Sequence, residues 1–199
     1  NDTNGCTAKS LPLGATVNLG PDSTAPIAVG TMVYNSWLTM QSAPKETDPE
    51  TCQYNDLAII KLNSADYGKV NPSIPRWGGP IATNTSGTAT GDTVYTYGNS
   101  SLRGGLTQTS PKKGVSLGDS TNRWSHDVYT ATPGIPGDSG SAFLDKLGNA
   151  LGVLSTVQVA PLSGSNGVGD VGLEVAYMQA HSSFTTLQIA LGTEPFTPN

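Results

Sequence analysis

The chain has 199 residues, a formal net charge of −5 and only 13% charged side chains. That balance works against nucleic acid, whose phosphates ask for clustered Lys and Arg; Lys112-Lys113 is the only adjacent basic pair. No apolar run approaches the ~20 residues of a membrane-spanning helix, so neither nucleic acid nor a membrane is expected as a partner.

The first segments read as strands. "GATVNLG" (14–20) and "IAVGTMVYNSWLTM" (27–40) alternate or run apolar between turn residues, and "DLAIIKL" (56–62) has the look of a short buried strand. Residues 71–90 are dense in Pro, Gly, Thr and Asn and read as a connector between two halves, 1–75 and 76–199. "DTVYTYG" (92–98) is β-branched and aromatic. "GGLTQTSPKKGVSLG" (104–118) reads as a hairpin turning at Pro-Lys-Lys-Gly. "HDVYTAT" (126–132) is a further strand, and "SAFLDKLGNALGVLSTV" (141–157) is strand, Gly-Asn turn, strand. Only 172–184 asks for a helix, with Leu173, Ala176, Tyr177 and Ala180 at helical spacing. Many strands and one late helix predict an all-β sandwich or a pair of barrels.

Cys6 and Cys52 pair in an oxidising compartment, which on a chain-entropy account stabilises the fold by ~4 kcal/mol; otherwise they are two buried thiols. Richness in Gly, Ser, Thr, Asn and Pro is common in secreted proteins. No signal peptide is visible, so a targeting segment was removed or lies outside the sequence. Sequons begin at Asn1, Asn84 and Asn99. Two histidines and two cysteines offer no usual metal-ligand spacing, so no metal or cofactor is expected.

Chemistry concentrates in "TPGIPGDSGSAF" (132–143). Glycines let the backbone turn sharply beside a ligand. The N–H groups of Gly137 and Ser139 could then share one hollow and stabilise an oxyanion. The run is not the Gly-x-Ser-x-Gly elbow of α/β-hydrolases, since residue 141 is Ser. Asp56 opens an apolar run, where a carboxylate is costly unless paired. A histidine held in the tautomer a serine needs would be one partner; a plain turn cap after Asn55 is the simpler reading of that residue taken alone.

"NDLAIIKL" followed by "GDSGS" resembles the trypsin/chymotrypsin-like serine proteases, "GVLSTV" is similar to the strand that walls their specificity pocket, and "YNSWLTM", "CQYNDLA", "YGNSSLRGG" and "PGIPGDSGS" look most like a secreted microbial branch. The resemblance implies two antiparallel β-barrels with a C-terminal helix, the first barrel incomplete at its N-terminus. It implies Ser139 as nucleophile, Asp56 as the residue orienting a histidine, and Gly137 with Ser139 as oxyanion hole. Pro133, Ser155 and Thr156 fall at the substrate pocket. Asp138 takes a family position that pairs with a new N-terminal amine or an internal substitute. Pro133 stands where trypsin itself carries an acid, so a small or medium apolar side chain is expected in the pocket rather than Arg or Lys. Peptides or proteins are the expected substrates.

The pattern breaks at the histidine, which in the family precedes the aspartate. His126 and His181 both follow Asp56. A serine alcohol without a base is a weak nucleophile. Three readings accommodate this. The histidine lies upstream on a segment outside this sequence; the protein is a non-catalytic homologue that binds or scaffolds; or His126 serves in an altered arrangement. The first is the leading expectation. His126 itself reads as a surface or pocket-wall residue, and His181 as a partly exposed one on the late helix.

Overall fold

A computed structural model describes residues 4–20, 24–104, 106–158 and 163–198. Two sheets carry the architecture. Strands β1 (Thr16–Leu19), β2 (Ala28–Asn35) and β3 (Ala58–Leu62) form an antiparallel three-stranded sheet in the order β1-β2-β3. Strands β4 (Thr93–Tyr97), β5 (Pro111–Asp119), β6 (Ser125–Thr130), β7 (Ala142–Leu144), β8 (Ala150–Val157) and β9 (Asn166–Asp170) close a barrel in the order β4-β5-β6-β9-β8-β7. This mostly-β architecture with a late helix agrees with the expected chymotrypsin-type fold. Its first half is one open sheet among the described residues.

The barrel core is Val94, Val128, Phe143, Leu151, Leu154 and Val168. The connector is anchored rather than loose. Ile74 and Trp77 pack with Tyr95 and Leu144, and the Trp77 indole donates to Thr96 O at 2.8 Å. The C-terminal tail closes over them, with Phe196 edge-on to Tyr95.

Several elements differ from expectation, each for a local reason. The run 27–40 is not one strand: Asn35 caps a short helix, α1 (Ser36–Met40), by accepting from Leu38 N at 3.2 Å. A second helix, α2 (Pro49–Tyr54), starts where Asp48 accepts from Thr51 N at 2.7 Å and Pro49 fills the first turn. Cys6 is bonded to Cys52 on α2. The strand at 58–62 is only half-buried, because β3 is an edge of the three-stranded sheet.

Pro-Lys-Lys-Gly is no turn. Lys112 and Lys113 lie inside β5, opposite Thr96 and Tyr95. Pro111 sits at the start of the strand, where a missing N–H is tolerated. Gly114 is needed there because a Cβ would meet Tyr129 O at 2.1 Å. Strand β9 escaped sequence reading because its glycines carry no strand propensity. They are selected by crowding: a Cβ on Gly169 would lie 2.6 Å from Glu174 Oε1. The late helix, α3 (Val171–His181), is capped by Asp170, which accepts from Leu173 N at 2.9 Å.

Candidate active site

Asp56 and Ser139 line one cleft of about 470 Å³. From the first half of the chain come Trp37, at the start of α1, Gln53, on α2, and Asp56, between α2 and β3. From the barrel come Ile135, Pro136, Ser139 and the run Leu154–Val157 at the end of β8. Residues 83 positions apart thus meet because the hinge between Tyr54 and Ala58 and the β6–β7 loop both end at the same groove.

The loop holding Ser139 is braced from behind by Asp138, which is buried. Its carboxylate accepts from Lys112 Nζ at 2.8 Å, from Arg103 Nη2, from Ser100 N at 2.9 Å and from Ile135 N at 3.1 Å. Burial opposes the charge, yet these bonds outweigh it and hold the carboxyl down at about 2. Two internal cations, Lys112 and Arg103, thus hold the Asp138 carboxylate. Gly98 makes room for them, since a Cβ there would sit 2.1 Å from Lys112 Nζ. Gly137 has φ +93° and its Cβ position is 2.8 Å from Ser100 Oγ, so only glycine fits. Among the described residues neither Gly137 N nor Ser139 N is engaged by a protein acceptor.

On the opposite wall Asp56 is open to the cleft, and the protein crowding its carboxyl raises its pKa by desolvation. Ser36 Oγ accepts from Leu57 N at 3.0 Å and donates to Asn55 O at 3.0 Å, fixing the backbone on either side. Ser155 and Thr156 are in the cleft wall. Pro133 is not. Asn166 clamps Gly134 by accepting from its N–H at 2.8 Å and donating to its carbonyl, and the chain turns so that Ile135 and Pro136 face the groove instead.

Neither histidine reaches the cleft. His126 is fully buried in β6, not at the surface or in the pocket wall. Its Nδ1 lies 2.7 Å from Asp119 Oδ1 and its Nε2 lies 3.3 Å from Asp170 Oδ2. Burial disfavours its charge, but the neighbouring carboxylates of Asp170 and Asp119 outweigh that and raise its pKa. With its Nδ1 hydrogen-bonded to Asp119, its Nε2 turned toward Asp170 and the ring sealed behind the barrel wall, it is no base for Ser139. Asp170 is likewise buried behind the wall, not in the pocket. His181 is exposed and stacks on Tyr177.

The trypsin family model matches residues 32–174, a span that contains both Asp56 and Ser139. The chain belongs to the trypsin family. It is thus a serine-protease domain, and the family's substrates are proteins and peptides. Among solved structures it is similar to the Rv3671c protease from M. tuberculosis. The active form is 17% identical at a TM-score of 0.46, covering 98% of this chain and 70% of that one. The inactive form of the Rv3671c protease is 18% identical at a TM-score of 0.47, covering 80% and 68%. No curated protein matches the chain.

Sequence reasoning missed Trp37, Gln53, Ile135 and Pro136 as cleft walls, and Arg103, Lys112 and Glu174 as buried partners. Lys112 gave a signal in its alternation with Lys113 on a strand; Glu174 gave one as the one acid in the mostly apolar first turns of the late helix. Of the sequons, Asn84 is buried and its Nδ2 donates to Asp145 Oδ2 at 2.8 Å, Asn99 is exposed, and Asn1 lies outside the described residues.

Proposed function

We propose that this domain is a secreted serine endopeptidase that cleaves through an acyl-enzyme on Ser139. The observation that carries the reading is that Asp56 and Ser139 share one cleft. Ser139 Oγ attacks the peptide carbonyl, an imidazole takes its proton and returns it to the leaving amine, and Asp56 steadies the imidazole. Gly137 N and Ser139 N donate to the oxyanion.

The imidazole comes from a segment outside this sequence. Two facts support that. Both histidines of the chain are accounted for away from the cleft. Among the described residues the first sheet has two unpaired edges, β1 and β3, and its β3 run "AIIKL" is only half-buried, so apolar surface is left for another segment to cover. The Cys6–Cys52 bond fits an oxidising compartment and so supports secretion. Ile135, Pro136, Leu154 and Val157 give the cleft an apolar wall, which supports a small or medium apolar side chain in the pocket.

The test is fluorophosphonate treatment of the full encoded protein. Mass added at Ser139, and none in Ser139→Ala, is the expected result. A folded, complete protein that resists labelling is instead a non-catalytic binding homologue.

A further inference from the structure

Glu174 is completely buried in the first turns of α3 and points at the back of the cleft. Its Oε1 accepts from Asp56 N at 3.0 Å. Its Oε2 has no hydrogen-bond partner among the described residues. An acid placed in the core with half its bonding capacity unspent is costly. Its one bond goes to the backbone of the residue that shares the cleft with Ser139.

We propose that Glu174 is a positioning residue for Asp56, holding the backbone at residue 56 from beneath so that the carboxyl is presented to the cleft. This rests on the reading of Asp56 as the residue that orients the imidazole. The anchoring has three parts. Ser36 Oγ binds Asn55 O and Leu57 N, on either side. Glu174 takes the remaining N–H between them. Gly169 leaves the gap through which the glutamate reaches, because a Cβ there would strike its Oε1. The cleft wall is thereby tied to a helix that packs on the barrel, so the two halves of the site share one frame.

The groups facing Glu174 are Asp56 from the α2–β3 hinge, Asp170 from the start of α3, and Tyr34 from β2; behind Asp170 stand His126 of β6 and Arg123. Burial pushes the Glu174 carboxyl up to about 8; the bond from Asp56 N opposes this, and the charges of Asp56 and Asp170 add to it. At neutral pH it is mostly the neutral acid, for which glutamine is the close substitute: its carbonyl can still accept from Asp56 N.

Two measurements test this. In the 199-residue chain, amide hydrogen exchange at Asp56 should accelerate at least about tenfold in Glu174→Leu and stay near the wild-type rate in Glu174→Gln, with β8 unaffected in both. In the full encoded protein, Glu174→Leu should lower kcat about tenfold or more with KM little changed, and Glu174→Gln should recover to within about threefold. Wild-type exchange at Asp56 in Glu174→Leu overturns the inference. So does a wild-type kcat for that variant in a protein that Asp56→Asn inactivates. If Asp56→Asn also keeps the wild-type rate, or if the wild-type protein does not turn over, the proposed function has failed instead and the exchange result alone decides the role of Glu174.

Discussion

Lys112 Nζ lies 2.8 Å from Asp138 Oδ2, and both side chains are sealed from solvent. The pair ties the start of β5 to the residue before Ser139. Arg103 adds a second cation from the far side.

Lys112→Met should therefore loosen the site as well as the fold. Removing one partner of a buried ion pair costs about 3 kcal/mol, here at the low end because Arg103 remains. Urea unfolding should report that loss, and fluorophosphonate labelling of the full encoded protein should slow with it. Asp138 titrates near 2 when folded, below its usual 3.8. Its contribution is present above 3.8 and disappears as pH falls through about 2, so the variant and the wild type should converge in stability in strong acid.

Glu174 gives the opposite dependence. Its folded pKa is raised from 4.5 to about 8. Above pH 4.5 the unfolded chain loses the proton that the folded chain keeps, so stability falls as pH rises towards 8. His126, also raised, adds a decline of the same sign as pH rises through its folded pKa. Comparing urea unfolding at pH 5 and 8.5 should show Glu174→Gln removing the glutamate part, on the order of 2–4 kcal/mol. An identical pH dependence in variant and wild type would contradict this.

Gly137→Ala meets two penalties, the positive φ of +93° and the contact with Ser100 Oγ. Strain of this kind costs about 1–3 kcal/mol. The alanine keeps the N–H, but relieving this strain shifts it off the oxyanion position, and losing one such donor costs about 3 kcal/mol in the barrier. The expected outcome is a modest drop in Tm with a fall in kcat of roughly a hundredfold or more, read by thermal melts and peptide hydrolysis.

A chromogenic peptide series should favour small and medium apolar side chains over Arg and Lys, since no acid is among the barrel residues that wall the cleft. A clear Arg preference would overturn that assignment.

Reduction of the Cys6–Cys52 bond should lower stability by ~4 kcal/mol, seen as a shift in the urea midpoint with and without reductant.

The sequence alone determined the all-β class, the late helix and the two stretches that carry Asp56 and Ser139. These are written in local pattern: alternating apolar residues, glycines at a sharp bend, a carboxylate heading an apolar run. It could not decide that Pro-Lys-Lys-Gly is strand, because the reason is a buried Asp138 brought 26 residues back along the chain to Lys112. Nor could it decide that Pro133 stands back from the cleft, that His126 is locked between two carboxylates, or that Glu174 lies beneath Asp56. Each depends on a contact between segments distant in sequence, where burial and close approach override local propensity, and only the folded chain makes those contacts.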